Sequence, residues 1–209
     1  MVNTPEELGS WLRLSLTSGV GNESARKLLA AFGEPAQIFA QSESTLRQVV
    51  SATQARHLTT PPKGWTELTQ DTWAWLQGHD NSDVSCAVLT LSDADYPAPL
   101  LLIPDPPLML YALGKTAALP SLNAAQCLAM VGSRNPTPQG QANAREFARS
   151  LAGSGLTIVS GMALGIDGAA HDGALLGAGP LALATIAVVG TGLDRVYPRQ
   201  HRELAHRIA

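Results

Sequence analysis

The sequence predicts an α/β chain in which a small all-helical N-terminal domain precedes a parallel sheet flanked by helices. Three observations predict it. Apolar residues recur at helical spacing up to about residue 78 and turn strand-like beyond it. From residue 126 short apolar runs alternate with helical segments. Each of those runs ends on a glycine turn, at Gly132, Gly161 and Gly190, spaced 29 residues apart, a spacing that fits successive strand–helix units.

In the first domain, assigned to residues 1–79, Leu8, Trp11, Leu12 and Leu16 mark one helix and Ala25, Leu28, Leu29 and Phe32 the next. Between them Ser18-Gly19-Val20-Gly21-Asn22 reads as a tight hairpin: the glycines accept positive φ, Asn22 caps the second helix and Gly33 stops it. Such a hairpin can present backbone N–H groups to a DNA phosphate. Only Arg26 and Lys27 supply positive charge on the helix that follows, which favours a structural or protein-contact role. Leu46, Val49 and Val50, then Trp73 and Leu76, predict further short helices, with a proline-bearing loop at 59–64. Trp65, Trp73 and Trp75 offer rings for base stacking, but tryptophans in short helices of a small domain are read as core.

The polar segment 78–83 precedes the strand-like run Ser85 to Leu91, so a boundary is expected near residue 80. Residues 80–125 carry Pro97, Pro99, Pro104, Pro106 and Pro107 and a strand-like run at 108–113, and are read as a lead-in packed on the domain that follows. The third segment, 126–209, holds strands at 127–131, 156–159 and 185–189 and helices at about 138–152 and 165–176. Near-continuously apolar strands are those of a parallel sheet covered by helices on both faces. Right-handed crossovers then bring the three glycine turns to one carboxyl edge, where a ligand crevice forms. Gly168, Ala169, Ala170, Gly173 and Ala174 let the second helix lie very close to the sheet.

The chain of 209 residues is 45% apolar and 15% charged, ordinary for a globular protein. A net charge of −3 argues against coating nucleic acid by charge alone. The charge is uneven, however: residues 81–120 sum to −3 and residues 121–209 to +2, so a polyanion prefers the latter. No apolar run reaches the ~18 residues of a membrane span and the first residues lack a signal pattern, so a cytoplasmic protein without membrane contact is expected. Cys86 and Cys127 lie in apolar runs and are read as buried, reduced thiols, with no disulfide and no zinc site.

Each glycine turn has the chemistry of a phosphate cradle. In the first, Gly132 lets backbone approach an anion, Ser133 offers a hydroxyl, Arg134 a fork of donors, and Thr137-Pro138 opens a helix. The bland alternative is a tight strand-to-helix turn with a surface arginine. The second turn comprises Ser160, Gly161, Met162, Ala163, Leu164 and Gly165 before Ile166 and Asp167. Asp167 and His171, at i and i+4, have the spacing of a metal or acid–base pair, but with no third ligand nearby a mutual hydrogen bond bracing the turn is expected instead. The third, Gly190-Thr191-Gly192, begins like a dinucleotide fingerprint, which fails at Arg195. No P-loop motif occurs.

Asp95-Tyr96-Pro97 with Leu100, Pro107 to Gly114, Val131-Gly132-Ser133-Arg134-Asn135-Pro136-Thr137, Ser160 to Asp167 with Ala170-His171, and Ala187 to Asp194 with Tyr197-Pro198 resemble, in order and spacing, the signature of the DprA/Smf family of DNA-processing proteins. Residues 10–33 resemble that family's N-terminal helical domain. The resemblance implies a SAM/helix-hairpin-helix-like helical domain and an extended Rossmann-like sheet that continues beyond residue 209, the chain being a fragment. It also implies single-stranded DNA binding without nucleotide hydrolysis, no catalytic residue and no cofactor or metal. Homodimerisation of the full-length protein and loading of the RecA recombinase in natural transformation follow from it as well. The DNA pocket implied is the edge formed by Gly132, Ser133, Arg134, Ser160, Gly161, Met162, Ala163, Gly165, Gly190, Thr191 and Gly192. Two departures, Gln139 for an aromatic residue and Ala184 for a basic one, weaken stacking and charge there. The competing readings are a nucleoside-monophosphate N-glycosidase of a related fold, whose Pro-Gly-Gly-x-Gly-Thr turn is absent, and a pure interaction module.

Overall fold

The computed structural model describes residues 2–78, 84–121, 124–179 and 182–209. The chain forms two compact units, Met1–Ala112 and Leu113–Ala209. The first unit contains α1 (Pro5–Leu16), α2 (Asn22–Phe32), α3 (Pro35–Phe39), α4 (Glu43–Leu46), α5 (Ala52–Leu58), α6 (Trp65–Gln77), β1 (Ser85–Thr90) and α7 (Ala98–Leu101). Strand β2 (Met109–Gly114), which pairs with β1, runs across the division. Segment 79–83, where sequence places the boundary, lies outside the described residues.

Helix α1 organises the first unit because it is buried on two sides. Thr4 caps it by accepting from the Glu7 amide, with Pro5 opening the first turn. Trp11 and Leu14 face a core with Val20, Leu28, Ile38, Leu46 and Leu58. Leu8 and Leu12 face Val88 of β1 and the tryptophans of α6. The expected stripe therefore needs one correction: Leu14 is fully buried, whereas Leu16, on the last turn, is 40% exposed. Trp65 donates from Nε1 to the Gly9 carbonyl at 2.6 Å, and Trp73 and Trp75 pack on the same cluster, in keeping with the core reading. The hairpin ends at Gly21, which takes the N-cap position; Asn22 is already helical and its amide donates to Asp105.

The proline-rich segment belongs to this unit, contrary to the lead-in expected on the second. Its residues find donors and apolar partners here. Leu108 lies in the Trp11 core, the Tyr96 hydroxyl donates to the Pro107 carbonyl at 2.8 Å, and Arg26 pairs with Asp105 at 2.8 Å. The Asp93 carboxylate accepts from the Thr90 amide and hydroxyl and turns the chain after β1.

In the second unit β3 (Cys127–Ala129), α8 (Pro138–Gly153), β4 (Thr157–Ser160), α9 (Ile166–Gly177) and β5 (Thr185–Ala187) alternate, then a 3-10 turn (Arg199–His201) leads into α10 (Arg202–Ile208). The strands run parallel in the order β3-β4-β5. Because the order advances in one direction, right-handed crossovers put α8 and α9 on one face of the sheet. The row Leu128, Ile158, Thr185 faces them, with Ile158 fully buried among Ala148, Ala152, Ala170 and Ala174. The row Ala129, Val159, Ile186 points the other way.

The small residues of α9 serve helix–helix contact more than the sheet. A Cβ on Gly173 would overlap the Arg145 carbonyl, and one on Gly177 the Arg149 carbonyl, so the two backbones touch. Both cysteines are half-buried. No described helix is long and apolar enough to cross a membrane.

Gly173→Ala or Gly177→Ala should destabilise the protein by about 1–3 kcal/mol, the usual cost of forcing a methyl into a closed contact. Gly179→Ala, in open space, should be near neutral. Urea unfolding of the three variants checks this, and equal midpoints would show that α8 and α9 can separate freely.

Candidate nucleic-acid interface

The parallel register brings the turns after β3, β4 and β5 to one edge, as the spacing predicts. What holds the first two together is Asp167, at the start of α9. Its carboxylate, 6% exposed and without a cationic partner among the described residues, accepts from the Gly132 amide at 3.3 Å, the Gly161 amide at 3.1 Å and the Ala163 amide at 3.4 Å. A buried carboxylate is tolerable only when backbone donors replace water, and the positive end of a helix helps. The Ile166 amide adds a bond to the Ser133 carbonyl at 3.1 Å. Gly165, at φ 83°, is required here because a Cβ would overlap that same carbonyl.

This corrects two expectations. The amides of Gly132 and Gly161 do not await a phosphate; the protein's own carboxylate fills the cradle. Asp167 and His171 do not bond to each other either. The Thr185 hydroxyl gives its one proton to the Ile158 carbonyl at 2.6 Å, so His171 Nδ1, 2.7 Å from that oxygen, must donate to it. His171 Nδ1 therefore carries a proton. Burial drives its pKa down to about 4, with Asp167 pulling the other way.

Other candidates fall into two groups. Ser160 is buried and donates to the Met130 carbonyl at 2.6 Å, tying β4 to β3. Met162 is buried at φ 61°, a region that non-glycine residues seldom occupy, and its carbonyl accepts from His201 Nδ1 at 2.9 Å. Gly132, Ser133, Arg134, Gly161, Gly190, Thr191 and Gly192 are exposed, with Ala163 and Gly165 half-buried. Ser133 Oγ accepts from the Asn135 amide, and Thr137 caps α8 by accepting from Gly140.

Of the unit's arginines, Arg145 and Arg207 share Asp172, Arg149 pairs with Glu146 and Arg195 with Asp194. Arg134, Arg199 and Arg202 are exposed and make no ion pair among the described residues. Sequence reading missed Arg199 and His201, although Gly168 is the signal: a Cβ there would strike the His201 ring at 2.5 Å. A cleft of about 570 Å³ between the starts of α8 and α9, lined by Gln141, Arg145, Gly165, Gly168, Asp172 and His201, carries the paired Asp172 and is a poor anion site.

Asp167→Asn keeps one acceptor oxygen and turns the other into a donor facing an N–H, so stability should fall by about 1–3 kcal/mol, as read from urea unfolding. For His171 the folded pKa lies below the unfolded one, so the unfolded state binds the extra proton. Its stabilisation is full above pH 6.5 and is lost as pH falls towards about 4, by roughly 3 kcal/mol in all. Unfolding midpoints of wild type and His171→Gln at pH 7 and pH 4.5 check this; a parallel fall in both proteins would contradict it.

Residues 87–209 match the family model of DNA recombination-mediator protein A. Protein Smf of Synechocystis sp. is 46% identical over 121 residues, covering 58% of this chain and 29% of that protein. Protein Smf of Escherichia coli strain K12 is 34% identical over 200 residues, covering 93% of this chain and 47% of that protein. The X-ray structure of DNA processing protein A from Streptococcus pneumoniae aligns with a TM-score of 0.61 and 25% identity, over 100% of this chain and 65% of that one. The chain thus spans less than half the length of these curated relatives. It shares with the solved structure the α/β architecture of helical domain and Rossmann-like parallel sheet, and it belongs to the DprA/Smf family of DNA recombination-mediator proteins A.

Proposed function

We propose that the chain binds single-stranded DNA along the carboxyl edge of its parallel sheet, without hydrolysing a nucleotide. In the full-length protein, as a homodimer in the cytoplasm, this edge delivers the strand to the RecA recombinase during DNA uptake. The observation that carries the DNA contact is Arg134. Its guanidinium is exposed and makes no ion pair among the described residues, on a turn fastened through Gly132 and Ser133 to the start of α9. A donor fork on an ordered turn suits a phosphate.

Arg199, on the 3-10 turn docked by His201 against the second glycine turn, extends the positive edge. Tyr197, 69% exposed after the third turn, offers a ring for base stacking. Gln139, which stands where the family has an aromatic residue, is bonded to Asn143. The contacts available are cationic, amide and aromatic, which suits a single strand more than groove reading. The name DNA processing protein borne by relatives in Bacillus subtilis and Streptococcus pneumoniae supports the substrate, and family membership supports the recombinase step.

Loss of one charge-assisted phosphate contact costs about 1.5–3 kcal/mol. Arg134→Ala should therefore weaken single-strand binding roughly 10- to 100-fold, with Arg134→Lys recovering part. Arg145→Ala and Arg149→Ala, whose side chains are paired with Asp172 and Glu146, should cost far less. Fluorescence anisotropy with a labelled single strand and its duplex, at two salt concentrations, measures all of these. Equal losses at Arg134 and Arg145 would place the DNA on a diffuse charged face, and tighter duplex binding would refute the single-strand preference.

A further inference from the structure

The hairpin of the first unit borders a cleft of about 490 Å³ lined by residues that include Leu16, Ser18, Arg56, His57, Thr60 and Lys63. None of its lining residues is acidic. The cations nearest in sequence, Arg26 and Lys27, are neutralised by Asp105 and Glu23. Arg13 lies under the Phe39 ring, 3.9 Å from its centroid, and donates to the Leu58 carbonyl. Positive charge reaches the hairpin from elsewhere: Arg56 on α5 and Lys63 in the following loop are exposed and make no ion pair among the described residues.

The same helix α5 prepares the hairpin for an anion. Carbonyl oxygens at a loop tip repel phosphate, and here two are covered. Gln54 donates to the Gly19 carbonyl at 2.7 Å, and His57 Nδ1, 2.8 Å from the Ser18 carbonyl, must donate to it because a carbonyl only accepts. Gly19 and Gly21 have open space where a Cβ would stand, so a chain can approach the tip closely.

We infer that this cleft is, by itself, a contact for the sugar–phosphate backbone of single-stranded DNA, made by Arg56 and Lys63 beside the hairpin. The inference rests on the reading of the chain as a single-strand binder and extends it to the helical unit. A phosphodiester chain fits better than an acidic protein because protein interfaces depend on apolar or aromatic anchors. Leu16 is the one large exposed apolar side chain among the lining residues.

The test compares the whole chain with its Arg56→Ala/Lys63→Ala double variant and with Arg134→Ala, using labelled oligothymidylate over a range of salt. Each phosphate contact to a single strand contributes about 0.7 to the log–log salt slope, so the double variant should lower it by about 1.4. Affinity at moderate salt should fall about 5- to 20-fold, with an unchanged circular-dichroism melt. A double variant that matches wild type in affinity and slope, while Arg134→Ala binds weakly, overturns this inference alone. A wild-type chain that binds no oligonucleotide overturns both readings. Loss of polyglutamate binding with oligonucleotide binding intact overturns it in favour of an acidic partner. Should the double variant melt early, crosslinking of a 4-thiothymidine strand to wild type decides: labelled peptides must fall within 16–24 or 56–63, and their absence refutes the contact.

Discussion

The second unit depends on one buried carboxylate. Asp167 draws the amides of Gly132, Gly161 and Ala163 to a single point, so two loops that leave different strands become one object. Without it those amides would need water or a ligand, and the loops would owe their positions to whatever bound them. With it, the edge has its shape before any partner arrives. The amides of Gly132 and Gly161 are spent on this carboxylate, which holds steady the side chains and outward-facing backbone around them.

How much of this was readable in the sequence depends on what each signal reports. The 29-residue spacing of Gly132, Gly161 and Gly190 reports topology, and the parallel register bears it out. Helical spacing marks Asp167 as a brace but points to His171 as its partner. Backbone amides on loops 35 and 6 residues away in sequence leave no residue-type signature. Ser160 is one of the pocket residues that the resemblance implies, but a serine that ends a strand can donate to a phosphate or to a neighbouring carbonyl, and only the strand pairing reveals which. Likewise, the prolines between 97 and 107 signal a break in regular structure but not which side of the break the segment packs on.

Charge shows the same gap between composition and structure. The C-terminal segment has a surplus of two positive charges, yet four of its seven arginines are bound to carboxylates. Availability, not number, decides where a polyanion settles. In the helical unit the lesson runs in reverse: a hairpin that looks poorly charged from its own helix gains cations from residues some forty positions later, a relation that loop geometry alone creates.

The two units reach compactness by different routes. One core is filled by Trp11, Leu14, Leu28 and Ile38, and the other by Ala148, Ala152, Ala170 and Ala174 around a single isoleucine. Large side chains surrender rotamer freedom on burial, whereas alanine and glycine surrender almost none. The helix pair α8 and α9 therefore assembles at little side-chain entropic cost, through contact between main chains. Such a joint has no rotamers with which to absorb error. The tryptophan-and-leucine core tolerates exchanges of similar volume, whereas the positions where α9 meets α8 have room for glycine alone at Gly173 and Gly177.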